Sequence, residues 1–351
     1  MQKLATFVKR ACYVTAFLAT STVMSTAISP ARAQVAISTW GFNMDLINEH
    51  ITDTFVEQFN TEILYDLGNN ADRLTRLQLR SDSPEISVVE LAPTFAIRAM
   101  REGLIEPIDT SRLENYNTLY DWAQDPLTGN YGVGFTVYSY GIVYRTDMVD
   151  EPITSWQDLW RDDLAGRVSL PNVTTTQGLA TIIMASRAWG GDAENPDVGF
   201  EQLAELSDDV VTFYARSSEL VSLFQQGEVW AAPVLRFAWG QLLDTDLPLA
   251  WVAPEEGSVG FVNTISIISG APNTDSAYDY IDHRLSQDVQ TALALDIVDS
   301  PVRSDVTVPA ELAEQLTYGE AEIDNLIFLD YNYLLDVESD WIERWNEEIA
   351  R

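Results

Sequence analysis

Two long extended segments, 131–144 and 257–268, most constrain what this chain can fold into. The first reads Tyr-Gly-Val-Gly-Phe-Thr-Val-Tyr-Ser-Tyr-Gly-Ile-Val-Tyr and the second Gly-Ser-Val-Gly-Phe-Val-Asn-Thr-Ile-Ser-Ile-Ile. Gly132-Val133-Gly134 is a weak dinucleotide signal, because no helical pattern follows it and no third glycine is placed for one. An extended strand crossing between two lobes explains the first segment better, and the second is its return crossing.

The text around the crossings alternates strand and helix. Strand patterns fall at 35–40, 61–65 and 86–91, with helical apolar spacing between them at Leu46, Ile47, Ile51, Phe55 and Phe59 and again over 71–80. Asn43 or Asp45 is the expected cap of the first helix, and Thr94 that of a helix running to Glu102. Past the first crossing come strands at 167–170, 210–214, 229–234 and 249–252, and helices at 177–189, 197–206, 217–226 and 236–243. Thr174, Thr175 and Thr176 read as N-cap side chains for the 177–189 helix. Helices follow at 274–285 and 287–295, then helical, aromatic, acidic text over 311–316, 320–335 and 339–349. This order predicts an α/β protein with parallel sheets covered on both faces. Residues 34–138 with 262–310 form lobe I and 139–261 lobe II, while 311–351 is assigned to neither. Two crossings between two lobes make a hinge, and a hinge makes a clamp.

The chain has 351 residues, 46% of them hydrophobic, enough for two cores rather than one. Its formal net charge is −34, which argues against nucleic acid as a partner. So much acid reads as solubility, of the kind a saline habitat calls for, with a surface made for one cationic partner as the alternative. Residues 1–33 carry Lys3, Lys9, Arg10 and Arg32 and no acid, a diluted apolar run, and the Ala31-Arg32-Ala33 pattern. They read as a signal peptide cleaved after Ala33; a membrane anchor is the alternative, and the run is too polar for a good span. The single cysteine, Cys12, lies inside this leader, so the mature chain has no thiol and no disulfide.

Catalytic chemistry has little material. His50 and His283 are the only histidines, and both read as surface or cap residues on helices. No G-x-S-x-G elbow, P-loop, H-E-x-x-H or calcium loop is present, and pairs such as Asp162-Asp163, Asp208-Asp209 and Glu255-Glu256 read as solvated faces or helix caps. No cofactor or metal is expected. Aromatic and hydroxyl residues instead gather at strand ends and crossings: Trp40, Phe42, Thr94, Phe95, Tyr138, Tyr140, Phe261 and Asn263. Together they suggest a ligand cage.

Five motifs stand in order along the chain: Met100-Arg-Glu-Gly-Leu-Ile-Glu-Pro-Ile-Asp109, Thr154-Ser-Trp-Gln-Asp-Leu-Trp160 with Gly166, Gln226-Gly-Glu-Val229, Pro254-Glu-Glu-Gly257 and Gly270-Ala-Pro-Asn273. By them the chain from about Val35 to Pro309 resembles the bacterial extracellular solute-binding proteins of the spermidine/putrescine-binding type. It implies a two-lobed periplasmic-binding-protein fold, type II-like, that closes on one small solute. It also implies a monomeric, periplasmic partner of an inner-membrane ABC permease, without catalysis. By family habit the solute is a polyamine or related amine.

The ligand residues depart from the polyamine pattern. Where such binders have Trp-Thr-Glu-Tyr this chain has Trp40-Gly41-Phe42-Asn43; their two later carboxylates fall on 172–176, which holds no acid; their second-crossing aspartate corresponds to Asn263. A buried dication without counter-charges costs several kcal/mol per unpaired ion, roughly. Arg236, where relatives put site residues, suits a carboxylate, sulfonate or phosphonate, and a helix mouth at Thr174–Thr176 also favours an anion. The alternative for Arg236 is pairing with a nearby acid. The expected roles follow: Trp40, Phe42, Tyr138, Tyr140 and Phe261 wall the solute; Asn43, Thr175, Thr176 and Asn263 hydrogen-bond it; Arg236 holds an acidic group. A zwitterion or acid, such as an opine or amino-acid derivative, is the second reading of the ligand. A secreted enzyme on the same clamp is the third reading.

Overall fold

A computed structural model describes residues 33–350. The leader, its Ala31-Arg32-Ala33 cleavage pattern and Cys12 lie outside the described residues, apart from Ala33 itself. Eleven strands join in one sheet: β1 (Ala33–Thr39), β2 (Thr61–Leu67), β3 (Val88–Leu91), β4 (Ile105–Glu106), β5 (Val133–Arg145), β6 (Val168–Pro171), β7 (Val210–Tyr214), β8 (Ala231–Leu235), β9 (Leu249–Val252), β10 (Ser258–Ile268) and β11 (Leu326–Ile327). The main path runs β2-β1-β3-β10-β5-β8-β6-β7.

Its centre is the antiparallel pair β5 and β10, the two crossing segments. β10 pairs with β3 through Thr264–Ile267, and β5 pairs with β8 through Tyr140–Tyr144. Between those stretches the two strands pair with each other from Val259↔Tyr140 to Ile265↔Val133. Each long strand therefore belongs to both halves of the sheet. β1 lies parallel to β2 and β3 on one side, and β6 parallel to β7 and β8 on the other. The close approach explains one glycine of the 132–134 motif: a Cβ at Gly134 would sit 2.6 Å from the Val262 side chain.

The two largest hydrophobic cores among the described residues sit on this frame. One gathers Ile37, Phe55, Phe135, Ile265 and Leu285; the other gathers Ile142, Trp156, Leu170, Ile183 and Phe200. The second core also takes Trp341 and Trp345 from the long C-terminal helix Tyr331–Glu348. That helix reaches the first half as well: Arg98 pairs with Glu338 and Arg101 with Asp336 from the helix Pro93–Arg101. The result is the two-lobed α/β architecture that the alternation implies.

Local differences from the sequence expectations have identifiable causes. The helix after β3 begins at Pro93, with Ala92 as its cap and Thr94 already inside the first turn, because proline is preorganised for the first helical position. Asn43 does precede the first helix, but its backbone is left-handed and its side chain makes no capping bond. In the helix Asn70–Leu79, Leu74 and Leu77 are buried and Leu79 is exposed. The 320–335 text is broken into a short helix Glu320–Ile323, then β11 on the edge of β10, then the helix capped by Asp330, whose carboxylate accepts from the Asn332 and Tyr333 N–H groups. His283 is buried rather than at the surface, against Phe55 and Phe59. Among the described residues no helix is long and apolar enough to cross a membrane.

Candidate functional site

A cavity of about 560 Å³ opens where β1, β3, β6 and β8 end. The carboxyl ends of strands are where open α/β sheets bind small ligands. Trp40, Phe42 and Asn43 reach it from the turn after β1, Ala92 and Pro93 from the turn after β3, and Thr176 from the loop after β6. Arg236 and Phe237 enter from the 3-10 turn after β8. The central strands contribute Tyr138, Phe261 and Asn263. At Asn263 the β10–β5 register shifts, a bulge of the kind that re-aims side chains beside sites.

Eight of the residues expected from sequence thus line one cavity: Trp40, Phe42, Asn43, Tyr138, Thr176, Arg236, Phe261 and Asn263. The other four do not line it. Tyr140 shares a strand face with Tyr138 but lies about 7 Å further along β5, at ~3.4 Å per residue. There it is fully buried in the second core, its hydroxyl 2.7 Å from Thr181 Oγ1. Phe95 packs against the Leu74–Leu77–Leu91 cluster, because the helix that starts at Pro93 turns it away. Thr94, in the same first turn, is likewise outside the lining.

The fourth, Thr175, is held by Asn172. The Asn172 carbonyl accepts from Thr175 N–H at 2.9 Å and Oγ1 at 2.7 Å, while its side-chain oxygen accepts from Thr174 at 3.0 and 2.8 Å. This local turn uses the threonines that were expected to cap the next helix. The helix Gly178–Ala188 begins after Gln177 without a side-chain cap.

Three charged residues of the cavity carry no motif in the sequence: Glu90, Arg284 and Asp299. Glu90 ends the buried strand β3, a lone acid in Val-Val-Glu-Leu, and that oddity is the one signal that could have found it. Arg284 closes the helix Thr274–Arg284 and is 1% exposed. It donates to Asp299 Oδ2 through Nη2, and its Nε lies 3.6 Å from Glu90 Oε1. Thr39 donates to Glu90 Oε2 at 2.6 Å, Tyr280 to Glu90 Oε1 at 3.4 Å, and Tyr138 to Asp299 Oδ1 at 3.0 Å. Burial pushes the Glu90 carboxyl up from its ordinary range, opposed by the Arg284 charge and the Thr39 hydrogen bond. Burial likewise drives the Tyr138 hydroxyl well above the usual phenol range, so it stays a donor.

Arg236 is 5% exposed, and its guanidinium lies 4.5 Å from the Trp251 ring centroid. Its Nη2 donates to the Glu314 carbonyl at 2.5 Å and lies 3.9 Å from Glu322 Oε2. The alternative of pairing with a nearby acid is thus half met. Nε and Nη1 have no hydrogen-bond partner among the described residues, nor do Nε and Nη1 of Arg284. Buried N–H groups of this kind are uncommon, and these remain free to donate to water or to a bound group. The walls between these charges are apolar and aromatic: Trp40, Ile47, Phe135, Phe237, Phe261 and Leu316. Arg73 braces Trp40 from behind at 4.5 Å, held by the Ser38 and Glu90 carbonyls.

The chain matches the family model described as bacterial extracellular solute-binding protein over residues 52–317. It is 25% identical, over 85% of its length and 84% of the relative's, to the spermidine/putrescine-binding periplasmic protein 1 of Haemophilus influenzae. It is 26% identical, over 73% of its length and 74% of the relative's, to a Salmonella typhimurium protein provisionally named 2-aminoethylphosphonate-binding periplasmic protein. Among solved structures, an ABC transporter protein from Clostridium perfringens aligns with a TM-score of 0.83 and 32% identity, covering 90% of this chain and 99% of that one. The chain belongs to the bacterial extracellular solute-binding proteins, as the substrate-binding component of an ABC transporter.

Proposed function

We propose that this protein captures a small zwitterionic solute, one acidic group and one amine on a short apolar frame, and delivers it to an inner-membrane ABC permease. The observation that carries this reading is the charge balance of the cavity. Its lining holds two carboxylates, Glu90 and Asp299, and two guanidinium groups, Arg236 and Arg284. A net-neutral solute keeps that balance. A diamine would bring two positive charges into a site whose acids already have a cation between them, at a cost of several kcal/mol, roughly, per unpaired ion.

Arg236 takes the acidic end, because its buried Nε–H and Nη1–H donors have no partner among the described residues and a carboxylate or phosphonate oxygen would satisfy them. The amine end lies toward Asn263, and the aromatic walls cover the frame between. The relative named for 2-aminoethylphosphonate supports this choice, since an aminophosphonate is such a zwitterion. The polyamine reading draws its support from the relatives named for spermidine and putrescine and from the aromatic walls.

Export by a leader cleaved after Ala33 would bring the protein to the periplasm. There, closing about the β5–β10 crossings would let residues from both sides touch the solute only when shut, so binding shifts the open–closed equilibrium by its differential affinity. The test is calorimetry on mature protein with 2-aminoethylphosphonate, γ-aminobutyrate, putrescine and spermidine. Heat from either zwitterion with none from the amines is the expected result; tight putrescine binding would sink the zwitterion reading.

A further inference from the structure

We infer that Arg284 is a resident cation that occupies the place an amine ligand would otherwise take, and that it thereby excludes diamines from this cavity. The inference rests on the zwitterion reading and extends it to a residue that makes the selection.

The geometry is that of a counter-ion built into the site. Glu90 and Asp299 both line the cavity, yet they come from separate elements, the end of β3 and the link after the helix Gln287–Leu295. Arg284 stands between them, bonded to Asp299 Oδ2 and 3.6 Å from Glu90 Oε1. The remaining carboxylate oxygens already accept from hydroxyls: Glu90 Oε2 from Thr39, and Asp299 Oδ1 from Tyr138. Tyr280 adds a longer bond to Glu90 Oε1. The guanidinium is fixed from behind by the Phe135 ring, 4.6 Å from its centroid. A cation, aromatic faces and two acids are thus assembled without a ligand, the cation being the protein's own.

Arg284 also has a donor to spare. Its Nη1 has no partner among the described residues, although the side chain is 99% buried and belongs to the cavity wall. An ammonium at either carboxylate would therefore lie against a like charge. With Arg284 neutralised, two carboxylates would stand unpaired beside Trp40 and Phe261, and a dication would supply what they lack.

The experiment compares putrescine and γ-aminobutyrate binding by calorimetry for the wild type and for Arg284→Gln, Arg284→Lys and Arg284→Gln/Glu90→Gln, with circular dichroism and melting curves confirming a folded chain. Arg284→Gln is expected to tighten putrescine at least about tenfold over the wild type, and Arg284→Lys, which keeps the charge, to leave it excluded. Adding Glu90→Gln should reverse the gain. A folded Arg284→Gln protein that gains no putrescine affinity overturns the inference, and so does a gain that Arg284→Lys shares.

Should Arg284→Gln not fold, Asp299→Asn tests the same charge count from the other side. It leaves Arg284 in excess, so succinate should bind at least about tenfold tighter than to the wild type, and no gain overturns the inference. Wild-type protein that already binds putrescine tightly would instead defeat the zwitterion reading itself, which separates the two failures.

Discussion

The Tyr138 hydroxyl donates to Asp299 Oδ1 at 3.0 Å, tying the central crossing strand to the link that follows the helix Gln287–Leu295. One side chain thus serves both the frame and the cavity. Replacing it with Phe keeps the ring and its edge contact with Phe237 but leaves a buried carboxylate short of a donor. Tyr138→Phe is expected to lower stability by about 1.5–3 kcal/mol, the range for hydrogen bonds to charged groups, read from urea midpoints. Unchanged stability would show that solvent replaces the hydroxyl.

Arg236 carries the acidic end of the solute in the proposed site. Arg236→Ala is expected to weaken γ-aminobutyrate or 2-aminoethylphosphonate binding by about tenfold to a hundredfold, the equivalent of one charge-assisted pair. Arg236→Lys should recover only part of this, since an ammonium on a flexible stem does not hold its donors where the planar guanidinium does. Titration calorimetry decides it, and an unchanged affinity in the alanine variant removes Arg236 from the site.

Trp156 anchors the Ser-Trp-Gln-Asp-Leu-Trp signature. Its indole is 2% exposed, its Nε1–H donates to the Gly257 carbonyl at 3.0 Å, and its ring packs on Tyr140. The turn around it is closed by a capping box between Ser155 and Asp158, with Glu256 accepting from Ser155 Oγ. Trp156→Phe deletes volume and a buried hydrogen bond together, and should cost about 2–4 kcal/mol in urea unfolding while leaving solute specificity as it was. A changed ligand preference would show that the signature reaches the cavity.

His283 gives stability a pH dependence of definite sign. Burial holds its imidazole below the ordinary value of 6.5, with Nε2 3.0 Å from Thr54 Oγ1. The unfolded chain therefore takes up a proton that the folded chain refuses. The stability contributed is full above the unfolded value and is lost as pH falls through about 6.5 toward the lower folded value. His283→Gln should shrink the drop in urea midpoint between about pH 7.5 and about pH 5.5. An equal drop in both proteins would assign the dependence to other groups.

Much of this fold is legible where local and global signals agree. The helix Ser217–Gln226 ends at a left-handed Gly227, and the helix Gln287–Leu295 starts on Ser286, whose hydroxyl accepts from Val289 N–H; both match the sequence pattern to the residue. The C-terminal text misleads because its helical periodicity runs on through 324–330, and the break comes from a distant partner, the pairing of Leu326 and Ile327 with β10. The cavity divides in the same way. Aromatics that follow strand ends, such as Trp40 and Phe42, announce themselves by position. Glu90, Arg284 and Asp299 are far apart in the chain, and only the folded sheet brings them together. The three neutral replacements at Phe42, 172–176 and Asn263 are legible in sequence, whereas of the two acids that line the cavity only Glu90 leaves a trace there, as a lone acid in an apolar strand.

The C-terminal helix has a consequence for how the second core closes. Trp345 is fully buried in a core whose other members start at Tyr140, and Trp341 meets Phe200 edge to face. The C-terminal helix therefore plugs a core whose other members begin roughly 200 residues earlier in the chain. Without that helix the core has an open side, and its remaining members are expected to pack loosely. A chain stopped short of Trp341 should remain open to protease across 140–214 while the Ile37–Phe55–Leu285 core resists.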